Sequence, residues 1–243
     1  RQNFKSEMPA KKRLLEKNVD ADTNLRKLYS QKSITLKNHI SFSSDTAEMK
    51  NFRDENEFVI SYPMVPYQYK LLQAVFENVR KTGAAGKHLS HGERSLLDSC
   101  QIAVKLLKEK ETGCLIPFHY FYRAIEGSLD SSVKKIIEQA SENDKLIKPF
   151  DADLLKTLFM IKYLKEIKKN KENLTTLTLS EIDEDKLILK TNIEESLARL
   201  EKETLIKKSG DEFFFLTDEE QEIGREIKST PYEDREITDQ LSN

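Results

Sequence analysis

The sequence predicts a mainly α fold with a small β component (α+β), and three observations predict it. Apolar residues recur at helical spacing along much of the chain, as in Tyr67, Leu71, Leu72, Val75, Phe76 and Val79. Helix-opening patterns precede several of these runs: Ser90 to Glu93, Thr191 to Glu194 and Thr217 to Glu220 each have the form of a capping box. Only near the end does the pattern change, to an apolar run at Thr204 to Lys208, a turn at Ser209 to Asp211, and a second run at Glu212 to Leu216.

Residues 9–41 read as a charged helical stretch in poor register, with a break expected near Asp20 to Asn24. A polar loop over Ser41 to Asn56 then leads to Phe58 to Tyr62, an apolar run stopped by Pro63 and read as a strand. Pro66 suits a first helical turn, and the helix it opens should stop at Thr82 and Gly83. The box at Ser90 predicts a helix over 91–110, carried by Leu96, Leu97, Cys100, Val104 and Leu107. Gly113 breaks it, Pro117 opens another through Phe121 and Ile125, and a third follows Gly127 with Val133, Ile136 and Ile137.

Pro149 ends the first half. Asp151 is read as an N-cap for a helix running to about Lys169. A short element follows, then a helix from the Thr191 box with Ile193, Leu197 and Leu200, then the hairpin, whose Gly210 can supply a positive φ. The Thr217 box opens the last helix. Helix, short helix, helix and hairpin is the order of a winged helix-turn-helix. Four segments result: a helical stretch and loop over 1–57, a strand and helices over 58–150, the winged unit over 151–228, and a tail over 229–243.

Composition narrows the function classes. With 37% hydrophobic and 34% charged residues, the chain suits one to three small soluble domains rather than a membrane or disordered protein. Charge is uneven. Residues 1–150 carry 25 Lys and Arg against 19 Asp and Glu, a net of +6, whereas 151–228 carry 14 against 19, a net of −5. The front half therefore suits an anionic partner or an acidic neighbouring domain, and the back half should avoid phosphate backbones. Cys100 and Cys114 lack metal-ligand spacing, so a cytoplasmic, reduced protein without a structural metal is expected. The start at Arg1 suggests a piece of something longer.

Motifs for chemistry are weak. Thr82 to Ser90 contains Gly-Ala-Ala-Gly-Lys but puts Lys81 where a phosphate loop needs its first Gly, and His88 where it needs Ser or Thr. Gly83 and Gly86 suit a helix-to-helix turn better, and without the phosphate cradle the chain alone should not hydrolyse nucleotide. His88 and His91 have no third ligand at a known spacing, and neither a nucleophile with a base nor a carboxylate pair stands out. The winged unit raises DNA binding through Lys190 on its second long helix and Lys207 and Lys208 on the wing. Against it, Lys190, Arg199 and Lys202 face Glu194, Glu195, Glu201 and Glu203. That balance favours packing against protein.

Two stretches carry a resemblance. Phe58 to Ser99, above all Tyr62 to Tyr69 and Gly92 to Ser95, and Ser196 to Ile227 with its Phe-Leu-Thr-Asp-Glu-Glu-Gln-Glu-Ile segment, resemble the P-loop ATPases of bacterial BREX phage-defence systems. The resemblance implies the following, all as expectations. Phe58 to Tyr62 would be the last strand of an AAA+ core, 66–148 its helical lid, and 151–228 a winged helix. The Walker motifs, with ATP and Mg, would lie in the longer protein, which would be a homo-oligomer acting with a phosphatase-like protein and a DNA methyltransferase. Arg94 would reach the γ-phosphate, unless it is a surface residue pairing with Glu93 or Asp98. Arg53 is a second candidate, toward nucleotide on a neighbouring subunit. The alternative is a free-standing winged-helix DNA-binding regulator.

Overall fold

The computed structural model describes residues 15–82, 93–143 and 147–229, with the side chains of 93–95 and 228–229 outside that description. Helix α1 (Val19–His39) begins where the Asn18 side chain accepts the Ala21 N–H at 2.8 Å. It runs unbroken through Asp20 to Asn24, because acidic residues in a first turn favour the helix rather than interrupt it. Asn51 donates to the carbonyls of Leu36 and Ile40 and closes its C-terminal end.

Phe58 to Tyr62 is not a strand. Phe58 to Ser61 belong to helix α2 (Glu55–Ser61), with Tyr62 as its C-cap; Asp54 caps the start by accepting the Glu57 N–H, and the Glu57 carboxylate accepts the Arg53 N–H, both at 2.8 Å. A five-residue apolar run fits either state by periodicity, and the cap decides it. Phe58 is fully buried among the rings of Tyr29, Phe52 and Tyr62, at centroid distances of 5.0–5.3 Å. Helix α3 (Pro66–Lys81) has Pro66 in its first turn as expected and stops at Thr82. Its Gln68 is buried, donating to the Ile116 carbonyl at 2.6 Å and accepting the Val65 N–H at 3.0 Å.

Helix α4 (Glu93–Lys105) ends earlier than the expected residue 110, in successive turns over Leu106 to Lys110. The Ser90 box and the Gly83 to Gly86 turn lie outside the described residues. After Gly113, at φ +116, a 3-10 turn over Phe118–Phe121 passes into α5 (Tyr122–Ile125), and α6 (Ser131–Glu142) follows, capped by Asp130.

Helix α7 (Pro149–Ile161) corrects two expectations. Pro149 opens it, and Asp151 sits in its first turn accepting the Lys148 N–H at 2.9 Å, rather than standing as N-cap. It ends at Ile161, not Lys169. Leu164 and Ile167 continue the apolar pattern from a segment of turn and bends after the helix, where both are buried. Helix α8 (Lys171–Thr178) is capped by Asn170. Helix α9 (Lys186–Lys202) starts one turn before the expected Thr191 box. The Asp185 carboxylate accepts the N–H groups of Leu187 and Ile188, and Thr191 donates to the Leu187 carbonyl inside the helix.

The hairpin forms as expected. Strand β1 (Ile206–Ser209) pairs antiparallel with β2 (Glu212–Phe215), with Ile206 opposite Phe215 and Ser209 opposite Glu212, and Gly210 turns at φ +62. The Thr217 box also holds, with the Glu220 carboxylate accepting the Thr217 N–H at 2.8 Å, and α10 (Asp218–Ser229) follows. The described chain is thus mainly helical with a small two-stranded antiparallel sheet. One continuous apolar core runs from Leu25 to Phe215 across residue 150, joined there by contacts such as Tyr122 against Phe159. No helix among the described residues is long and apolar enough to cross a membrane.

Candidate functional site

The surface that bears the expected DNA-contact residues is formed by α8, α9 and the hairpin. The extended chain before α8 joins the hairpin edge: Asn170 bridges antiparallel to Glu212, and the Phe213 N–H donates to the Lys169 carbonyl at 3.0 Å. Lys169 is buried here, its ammonium donating to the Leu164 carbonyl at 2.6 Å, and burial lowers its pKa against the pull of Glu212. Helix α9 packs on α7 through a bidentate pair in which the Arg199 guanidinium donates to Asp151 at 2.7 and 2.8 Å. The Asp151 side chain has no solvent exposure.

The first turn of α8 is covered by the chain's own loop. Asn173, fully buried, accepts the Ser43 N–H and donates to Thr46, while Asn170 donates to Ser43. Thr176 donates to the Ser41 carbonyl, and Asp45 forms an ion pair with Lys168. In a helix-turn-helix that meets a duplex, this helix end approaches phosphate. Here it is already filled by Ser41 to Ala47.

The start of α9 is also engaged. Lys186 donates to the carbonyls of Asn38 and His39 and to the Ser41 hydroxyl, closing the end of α1, and Lys32 of α1 pairs with Asp183 at 2.8 Å. Lys190 is exposed on the same helix, beside Leu187 at 77% and Ile188 at 61% exposure. Exposed apolar side chains here supply no hydrogen-bonding groups of the kind that read base edges. Two other cations of this unit are matched to acids, Lys171 with Glu194 and Lys162 with Glu220, and Lys148 just before it pairs with Glu195. Lys207 and Lys208 are exposed along β1, with the Lys208 ammonium 6.0 Å from the Phe213 ring centre.

The two arginine candidates are not brought to one site by the described contacts. Arg53 donates to Glu57 at 3.0 Å, with most of its side chain in solvent, and lies before a helix rather than a core strand. It lines a groove of about 370 Å³ with Tyr29, Ile34, Lys37 and Phe52. Arg94 belongs to the first turn of α4, and its side chain lies outside the described residues. Away from these, His119 stands 3.4 Å from Asp153, and burial lowers its pKa despite that carboxylate. It is a partly buried group whose ring meets that of Tyr120 edge-on.

Sequence reasoning missed the Lys32–Asp183 and Lys168–Asp45 pairs and the cover over α8. These join residues more than a hundred positions apart, and no local spacing announces them. Asp54 with Glu57, by contrast, was a readable capping signal. No protein-family model matches the chain, and no solved structure matches it.

Proposed function

We propose that the chain is the non-catalytic lid and winged-helix portion of a P-loop ATPase like those of BREX phage-defence systems. The winged-helix part rests on one observation above all: Asn170 bridges Glu212 ahead of α8. That makes the order helix, edge segment, helix, helix and hairpin, in which α9 takes the place of the recognition helix. The resemblance at Tyr62 to Tyr69 and Gly92 to Ser95 supports assigning helices α3 to α6 to a lid. The AAA+ core, with its Walker motifs, ATP and Mg, would belong to the longer protein, and Arg94, in the first turn of α4, would face phosphate there.

The winged unit would work through protein contacts, regulating nucleotide-dependent assembly in the cytoplasm. Its partners would be further copies of the same ATPase, a phosphatase-like protein and a DNA methyltransferase. The covered first turn of α8, the exposed Leu187 and Ile188, and the net charge of −5 over 151–228 (14 Lys and Arg against 19 Asp and Glu) support this over groove binding. The exposed Lys190, Lys207 and Lys208 favour the second reading, a DNA-binding regulator.

The deciding experiment compares ATP turnover by this chain with turnover by the longer product of its gene. No turnover by the chain, turnover by the longer protein, and a slower rate in the longer protein with Arg94→Ala are expected. Hydrolysis by the chain alone, or a longer product without a Walker A, would reject the proposal.

A further inference from the structure

Helix α10 presents an outer face that no other element among the described residues covers. Its inner face is fixed. Gln221 is buried and donates to the Leu216 carbonyl at 3.0 Å, Glu220 holds Lys162, and a Cβ on Gly224 would stand 3.1 Å from the Thr204 methyl. Those contacts set the helix's rotation. Ile223 at 57% and Ile227 at 65% exposure then point outward, one turn apart, with Glu219 and Glu222 on the same face. Arg225, whose guanidinium donates to Gln221 at 3.1 Å, offsets this edge only in part, because Asp218–Ser229 carries five acidic residues against two basic ones.

We propose that this face docks a basic amphipathic helix of a partner protein, the two isoleucines seating in its apolar seam and the glutamates meeting its Lys or Arg edge. Charge selects the occupant. A second copy of the same face would set one carboxylate edge against another, as an isologous contact requires. An anionic membrane surface and a nucleic acid would be repelled in the same way. A cationic helix satisfies both the apolar pair and the acidic edge. The face is presented by α10 whether or not the chain belongs to an ATPase.

The test uses the whole chain and two labelled helical peptides of about 18 residues, some five turns, one patterned with Leu and Lys and one with Leu and Glu. Fluorescence anisotropy should show salt-sensitive binding of the Leu–Lys peptide alone. Ile223→Ser with Ile227→Ser should weaken it by about tenfold or more, as expected for losing buried apolar area. Glu219→Lys with Glu222→Lys should transfer the preference to the Leu–Glu peptide, a swap that simple misfolding cannot produce. Unchanged far-UV circular dichroism checks the fold of both variants. Failure to bind the Leu–Lys peptide, equal binding by the isoleucine variant, or no swap would overturn the proposal. So would sedimentation showing that the face instead joins two copies of the chain.

Discussion

Removing the Asp151 carboxylate should unfasten α9 from α7. In Asp151→Ala the Arg199 guanidinium loses two charge-assisted bonds of 2.7 and 2.8 Å, and the Lys148 N–H loses its acceptor at 2.9 Å. A bond to a charged group is worth about 1.5–3 kcal/mol net, and a cap about 1 kcal/mol. Arg199 keeps a quarter of its side-chain exposure and has Glu195 at 3.5 Å, so it recovers part of the loss. The expected cost is about 3 kcal/mol. Arg199→Met should cost more, about 4 kcal/mol, because it strands a carboxylate with no exposure. The double variant should cost less than the sum by about 2 kcal/mol. Urea unfolding followed by far-UV circular dichroism measures all three. A coupling energy near zero would refute the view that this pair clamps the helices.

The same pair sets a pH dependence. Burial pushes the Asp151 carboxyl up, but Arg199 and the Lys148 N–H pull it down further, and it ends below its ordinary value. A folded pKa below the unfolded one gives stability that is complete above about pH 4 and lost as pH falls through the folded value. Wild type should lose this increment on acidification. Asp151→Ala should lack it.

Other expectations follow from single sites. Gln68→Leu leaves the Ile116 carbonyl and the Val65 N–H without their buried partner and should cost about 2–3 kcal/mol in the same urea assay. Burial pushes Lys17 down to about 8 against the pull of Asp22. Because its folded pKa is lowered, stability should rise between pH 8 and the unfolded value of 10.5, and Lys17→Met should flatten that rise when unfolding is compared at both ends of the window. Duplex DNA should bind the chain no better than the roughly 10⁻⁴–10⁻⁶ M of non-specific association at physiological salt. Sub-micromolar, sequence-selective anisotropy lost on Lys207→Glu with Lys208→Glu would instead favour the regulator.

Much of the fold was legible because its signals are local. The Thr217 box, Pro66 and the Ser209 to Asp211 turn each act within a few residues, and each forms as its chemistry requires. Errors arose where one local signal competed with another. Phe58 to Tyr62 looked like a strand until the cap from Asp54 and Glu57 is weighed, and Thr191 to Glu194 matched a box already inside a helix that Asp185 starts. Leu164 and Ile167 kept a helical repeat while the chain had already left the helix through turns and bends on its way to the hairpin. The candidate site was less legible. Which lysines are matched to acids depends on partners such as Asp45 for Lys168 and Asp183 for Lys32, and those pairings belong to tertiary packing.

That packing also ties the unit over 151–228 to the start of the chain. The first turn of α8 meets Ser43 and Thr46 through a polar network, and the start of α9 meets the end of α1 through Lys186. Each contact ties residues before 50 to residues after 165. Removing those ties would expose the buried Asn173 and leave the carbonyls at the end of α1 without Lys186, both unfavourable. The hairpin meets this network through Glu212, which bridges Asn170, and otherwise it and α10 present exposed faces. One offers two lysines and the other two isoleucines with an acidic edge, so the two faces left for partners differ in charge and should recruit different ones.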